Sequence, residues 1–147
     1  MRLTVHEQWT SLVDAVDIGL GEYNAQSAPL DQVRLLIALA QDDQSQVLGG
    51  AVGRTWGRCA ELQQLWVAPS FRKQGLGRAL LQRFHQMAKD RGCDMVYLET
   101  FSFQAPRWYG RFGYQVRMHL DGYAHGIEKF WMVCQLPAEG GHAPESI

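Results

Sequence analysis

Cysteine is scarce in this chain: Cys59, Cys93 and Cys134 are the three in 147 residues, scattered and without a Cys-x-x-Cys pair. That pattern excludes a disulfide framework and a zinc site, and it suits a reducing compartment. No apolar run reaches membrane-spanning length. The N-terminus, Met-Arg-Leu-Thr-Val-His-Glu, lacks the apolar core of a secretory signal. Charge of either sign is nearly absent on balance, since 14 Lys and Arg against 15 Asp and Glu leave a net −1. Such a chain casts no long-range field toward nucleic acid or an anionic membrane. The expected setting is the cytoplasm, with no nucleic acid, membrane or metal as partner. Two phosphate-binding patterns are also missing. No Gly-Lys-Ser/Thr occurs, which removes the Walker loop, and Leu80 stands where the dinucleotide fingerprint needs its third glycine. Glu99 is a weak candidate for the acidic residue of that fingerprint, and the turn over residues 68–74 is too long for it.

What is present is a folding domain. Hydrophobic residues make up 46% and aromatics 11%, which is the composition of a globular chain with a real core. A single domain is expected over residues 1–136, followed by a tail over 137–147 that holds Gly140-Gly141 and Pro144 and should be mobile.

The chain is organised around residues 62–81. Leu62 to Val67 suit a strand, and Pro69 stops it by lacking an amide hydrogen and restricting Ala68. A basic turn follows, Arg72-Lys73-Gln74, and then Gly75 and Gly77. From Leu76 the apolar residues recur at Leu80, Leu81, Phe84, Met87 and Ala88, the spacing of a helix with one buried face. A turn of this kind leaves backbone N–H groups unpaired and aims the helix dipole at them. Arg72, Lys73 and Arg78 add positive charge, so an anion, most plausibly a phosphate, belongs there. The plainer alternative is an ordinary strand-to-helix connection with glycines placed for packing.

The remaining elements follow from period and punctuation. Residues 7–23 read as a helix weakened at its end by Gly19 and Gly21, and residues 24–32 as a loop. Residues 33–40 and 47–56 read as a hairpin, with a second strand so rich in glycine that a bulge or close backbone contact is expected. The central strand spans 59–67. After the central helix, closed by Arg91-Gly92, a strand over 94–101 should lie parallel to the central one. A short helix with Pro106 in its first turn ends at Gly113, and strands over 114–120 and 128–136 close an antiparallel end. The class is α/β, with a mixed central sheet flanked by helices.

The segment Arg72-x-x-Gly75-x-Gly77, after a strand ending Leu-Trp-Val-Ala-Pro, resembles the acetyl-coenzyme A motif of the GNAT superfamily of N-acetyltransferases. The order of elements is similar to that fold over nearly the whole chain. Trp108-Tyr109 in the short helix with a Gly113-Tyr114 exit resembles the family's second signature, and Thr100-Phe-Ser-Phe-Gln-Ala with Trp131-Met132 looks like one uncharacterised bacterial branch. The resemblance implies the acyl-coenzyme A N-acyltransferase fold and acetyl-coenzyme A as acetyl donor. It implies a central strand splayed from its neighbour at a bulge, so that the backbone of Leu65, Trp66 and Val67 receives the pantetheine arm as an added strand would. By the same resemblance, the loop of Arg72, Lys73, Gln74, Gly75, Leu76, Gly77 and Arg78 holds the pyrophosphate. Gln104 stands where many members carry asparagine.

Direct transfer in a ternary complex with an amine is expected, because no cysteine stands in the motif. Tyr109 is the candidate general acid for the departing thiolate, with an amphipathic core tyrosine as the plain alternative. Glu61, early on the central strand, is the candidate base, beside a water chain ordered by Gln63 and Gln64 or a merely solvent-facing carboxylate. His119 and His125 flank a turn that in this fold overhangs the acceptor, although loop histidines are usually only solvated. Tyr23, Asn24 and Tyr123 are the candidate acceptor walls. The acceptor is a small-molecule or peptide amine, and a homodimer is common among relatives. The rival readings are a coenzyme A-binding regulatory module without catalysis, a dinucleotide oxidoreductase, and an interaction domain that binds neither ligand.

Overall fold

Strand-forming segments rich in Val, Leu and Ile alternate with one strongly amphipathic helix, and the computed structural model, which describes residues 1–137, assembles them into a mixed six-stranded sheet. The chain divides into two compact units, residues 1–32 and the remainder from Val33. The first unit holds helix α1 (Leu12–Ser27) and a single helical turn at Leu30–Gln32. The helix begins later and ends later than its period suggests. Thr10 accepts the Leu12 N–H through its hydroxyl at 3.3 Å. Gly19 and Gly21 do not stop the helix, because Asn24, Ala25 and Gln26 continue it; Pro29 stops it by driving Ala28 to an extended conformation. The loop expected from residue 24 is therefore helical to Ser27.

The second unit carries strands β1 (Arg34–Gln41), β2 (Val47–Trp56) and β3 (Cys59–Val67), helix α2 (Leu76–Asp90), strand β4 (Met95–Phe101), short helix α3 (Pro106–Gly110), and strands β5 (Gln115–Leu120) and β6 (Lys129–Gln135). The sheet order is β1-β2-β3-β4-β6-β5, antiparallel except where β3 and β4 run parallel across the α2 crossover. The β1–β2 turn is held by the Asp42 carboxylate, which accepts the N–H groups of Gln44 and Gln46 at 2.9 Å each. The expected mobile tail lies, from residue 138, outside the described residues.

Helix α2 buries Leu80, Leu81, Phe84 and Ala88 against one face of the sheet. There they meet Leu36 and Ala38 of β1, Ala51 of β2, Ala60 and Leu62 of β3, and Val96 and Leu98 of β4. The far end of the helix is clipped to the sheet by Arg91, which donates to the Leu35 carbonyl at 2.8 Å and the buried Thr55 hydroxyl at 3.2 Å. His85, on the same helix, meets the Tyr114 hydroxyl at 2.8 Å; burial, helped by the charge of Lys89, lowers its pKa to about 4. Among the described residues, no helix is long and apolar enough to cross a membrane.

One irregularity of the sheet shapes everything near the glycine turn. Val52 pairs with Gln64 but the next residue of β2, Gly53, pairs with Leu62, so Gln63 is an extra residue in β3. Before this bulge, Ala60 and Leu62 face α2; beyond it the alternation is inverted and Leu65 and Val67 face α2 instead. The pairing of β3 with β4 also stops there, at Leu62 opposite Leu98. Gly53 permits the bulge by having no side chain. A Cβ on it would lie well inside contact distance of the Glu61 carbonyl and 2.9 Å from Phe84 Cζ. The glycine-rich second strand thus marks a close backbone approach, as expected from its composition.

Gly53→Ala should lower unfolding stability by about 2 to 4 kcal/mol, since neither a carbonyl nor a buried ring yields cheaply. Urea unfolding followed by far-ultraviolet circular dichroism measures this; a midpoint equal to the parent's would mean the bulge relaxes freely.

Candidate active site

Where β3 and β4 part, each keeps its partner on the other side, so a gap opens between them. The Ala68 N–H donates to the Leu48 carbonyl at 2.8 Å, so the main chain of Ala68 faces β2. By the alternation of an antiparallel pair, Trp66 and Gln64 face β2 as well, and the N–H and carbonyl groups of Leu65 and Val67 turn toward the gap. Of the three strand residues expected to present backbone, Leu65 and Val67 do so. Trp66 contributes its half-exposed indole on the sheet face away from α2.

A cavity of about 780 Å³ fills the gap. It passes from one face of the sheet to the other. Leu65, Val67, Thr100 and Tyr109 line it on the α2 side, whereas Gln64, Trp66 and Glu99 line it on the opposite side. A second cavity of about 330 Å³ continues it to the glycine turn; the two share Leu65, Val67, Arg72, Ala105 and Tyr109.

The turn has the features of an anion seat. Gly75 precedes α2 with φ of +86°, which only glycine adopts without strain, and Lys73 before it has φ of +60°. Ala79 is the first N–H bonded at the helix start, to the Gly75 carbonyl at 3.0 Å, so those of Leu76, Gly77 and Arg78 lack a helical partner. Gly77 has an ordinary φ, and a Cβ there would sit in normal contact 3.5 Å from Trp108 and 3.6 Å from Val67. The protein itself therefore has room for a side chain at this position. The space that Gly77 leaves open is the cavity wall, where a ligand would come closest to the helix end.

The basic residues divide into separate tasks. Arg72 donates through Nε to the Val67 carbonyl at 3.0 Å and so fastens the turn to the end of β3. Lys73 and Arg78 line the cavity without that engagement. Gln74 spends its amide on the Ser70 carbonyl at 2.9 Å, and Leu76 packs against the core. Gln104 closes the end of β4, its Oε1 accepting the Phe101 N–H at 2.8 Å and the Thr100 hydroxyl at 3.2 Å. That leaves its amide N–H groups for the cavity it lines.

Tyr109 stands at the junction of the two cavities. Pro106 starts α3, and Trp108 and Tyr114 hold the Tyr109 ring in place, with ring centroids 5.1 Å away for Trp108 and 5.5 Å for Tyr114. Burial pushes its phenol up to about 12. No protein partner bonds its hydroxyl among the described residues. Tyr114, by contrast, is a packing residue, 3% exposed and bonded to His85.

The remaining candidates are farther from this centre. Glu61 pairs with Arg54 at 2.6 Å and stands beside Tyr97, before the bulge and off the wall of both cavities. Burial, and then the negative charge of Glu61, push the Tyr97 phenol up. Gln63 reaches the Glu61 carboxylate at 3.5 Å and lines the gap. His119 is engaged by Glu128 at 3.0 Å and stacks on Phe130, and neither it nor His125 lines the cavities. Tyr123 packs edge-on to Phe101 at 5.5 Å, while Tyr23 and Asn24 lie on α1 in the first unit. The carboxylate that does line the gap is Glu99. Sequence reasoning considered it only for a dinucleotide ribose; its position on the strand that parts from β3 was the signal available.

The acetyltransferase (GNAT) family model matches residues 5–114. Blasticidin-S acetyltransferase of Streptomyces morookaense is 33% identical over 95 residues, covering 64% of this chain and 70% of that protein. An acetyltransferase of Agrobacterium fabrum is 33% identical over 102 residues, 69% of this chain and 74% of its own length. Among solved structures, an acetyltransferase from Bacillus cereus superposes with a TM-score of 0.75 over 90% of this chain and 98% of its own, at 23% identity.

Gly77→Glu should abolish acetyl-coenzyme A binding and leave the thermal midpoint within a few degrees, because it fills the open wall with bulk and negative charge. Calorimetric titration beside a melting curve checks this. Unchanged affinity would remove the anion seat from the turn.

Proposed function

The chain belongs to the acetyltransferase (GNAT) family, and from that premise we propose that it transfers an acetyl group from acetyl-coenzyme A directly to a primary amine held between β3 and β4. The observation that carries this reading is the adjoining of two cavities, one at the unbonded helix start and one in the parted strands, with Tyr109 among the walls they share.

The residues fit the donor at both ends. The N–H groups of Leu76, Gly77 and Arg78, the space beside Gly77, and the side chains of Lys73 and Arg78 suit a pyrophosphate. The Leu65 main chain and the Val67 N–H, with the free amide of Gln104, suit a narrow chain that carries amides of its own. Bound there, acetyl-coenzyme A supplies a thioester whose sulfur leaves with an electron pair. The Val67 N–H is the donor proposed to polarise the reacting carbonyl from the strand edge.

Tyr109 is placed to meet the charge that builds on that sulfur. With its pKa near 12 the phenol stays protonated at every working pH. A thiol has a pKa of about 8.5, so outright proton transfer from Tyr109 is uphill by about 5 kcal/mol. Its contribution is therefore a hydrogen bond that strengthens as charge develops on the sulfur. The amine, with a pKa of about 10, must lose a proton to attack. Gln63 and Gln64 line the gap and can orient a water that accepts this proton and passes it to bulk solvent through the mouth of the cavity.

The cysteines support direct transfer. Cys93 and Cys134 are buried, burial pushes both thiols up, and no cysteine lines either cavity, so none is placed to accept the acetyl group.

Acetyl-coenzyme A should bind saturably in calorimetry while NADH gives no heat, and thiol release from a panel of primary amines should reveal turnover. Tyr109→Phe should then lower kcat by about 100-fold with acetyl-coenzyme A affinity held within about twofold. Equal turnover would return Tyr109 to a packing role.

A further inference from the structure

A seated cation lies beside the gap, on the sheet face away from α2. Glu99 on β4 stands directly across from Trp131 on β6, and Phe101 directly across from Lys129, so all four side chains share one face of the sheet. The Lys129 ammonium pairs with the Glu99 carboxylate, and it lies 4.8 Å from the Trp131 ring centroid and 5.5 Å from that of Phe101. Both distances are within cation–π range. Tyr123 and Phe103 brace the Phe101 ring from its edge and its face. The hydrogen bond from Lys129 holds the Glu99 carboxyl below the usual carboxylate range, and Trp131 acts in the same direction.

What separates this pair from an ordinary surface ion pair is its position. Glu99 lines the same cavity as Tyr109, Gln63 and Gln64. The lysine side chain is 21% exposed and its carboxylate partner 48%, so the anion faces the opening while the cation lies back over the rings. We propose that Glu99, with the faces of Trp131 and Phe101, is the seat for a cationic group of the acceptor, and that Lys129 occupies this seat until an acceptor displaces it. The inference rests on the acetyl-transfer reading and narrows its substrate class to acceptors that carry a cationic group besides the amine to be acetylated. A flat aromatic wall and one carboxylate favour a compact cation and give a neutral amine nothing to exchange for Lys129.

The test uses the full chain, with and without coenzyme A, and n-butylammonium as probe with n-butanol as its neutral counterpart. The readout is the Trp131 indole N–H resonance, identified by its loss in Trp131→Phe. Butylammonium should shift that resonance saturably and butanol should not. The midpoint should fall at least about tenfold in Lys129→Met, where the resident cation is gone, and the shift should vanish in Glu99→Gln. A pair with only a structural role would give the same midpoint with and without Lys129. Equal midpoints, an equal response to butanol, or no shift even in Lys129→Met would each overturn the proposal. Coenzyme A titrated into the same samples separates the two readings. Loss of coenzyme A binding with the ammonium response intact would undo the acetyl-transfer reading and leave the seat standing, and the reverse result would do the opposite.

Discussion

The close approach of Gly53 to the Glu61 carbonyl is the contact on which the site depends. It lets β3 carry one residue more than β2 across the same span. Three consequences follow from that residue. The alternation of β3 inverts, so Leu65 and Val67 join the face covered by α2. The pairing with β4 ends at Leu62. The main-chain groups beyond it are left pointing into a gap. A regular strand would have continued the ladder and closed the sheet where the gap now lies.

The two ends of the cavity are built by different means. At the glycine turn the ligand-facing groups are main-chain N–H groups, and the side chains mostly fix their position. Arg72 illustrates this, since its guanidinium fastens the turn to Val67. In a chain with net charge near zero, the local field at the turn comes from the helix start and a few basic side chains. At the gap end the arrangement is one of side chains on a sheet, with Tyr109 on one face and Glu99 on the other. The opening between the strands is what allows groups on opposite faces of one sheet to act on the same small volume.

That geometry also explains why two carboxylates on adjoining strands differ in standing. Glu61 and Glu99 both lie on the sheet face away from α2, on neighbouring strands. Glu61 precedes the bulge, where the ladder is intact and Arg54 and Tyr97 surround it. Glu99 follows the point of parting, where no strand covers it. A shift of a few residues along the strand changes a carboxylate from a member of the ladder to a wall of the cavity.

Much of this was legible in the residues themselves. The helix over 76–90, the strand before it, the glycine turn and the proline-started helix were readable because each rests on local causes: apolar spacing, a missing N–H, a positive φ. The glycines of β2 announced a close contact without saying which residue would approach. The end of α1 lies beyond Gly19 and Gly21 because their cost is smaller than the gain from Glu22, Ala25 and Gln26, and Pro29 sets the stop. Which carboxylate faces the gap, which strand residues present their backbone, and that Lys129 lies over two rings were decided only by the tertiary structure. Those facts depend on register across strands distant in sequence, and one inserted residue reverses every assignment beyond it. The sequence by itself determined the elements and the glycine turn that opens α2; strand pairing decided what stands beside them.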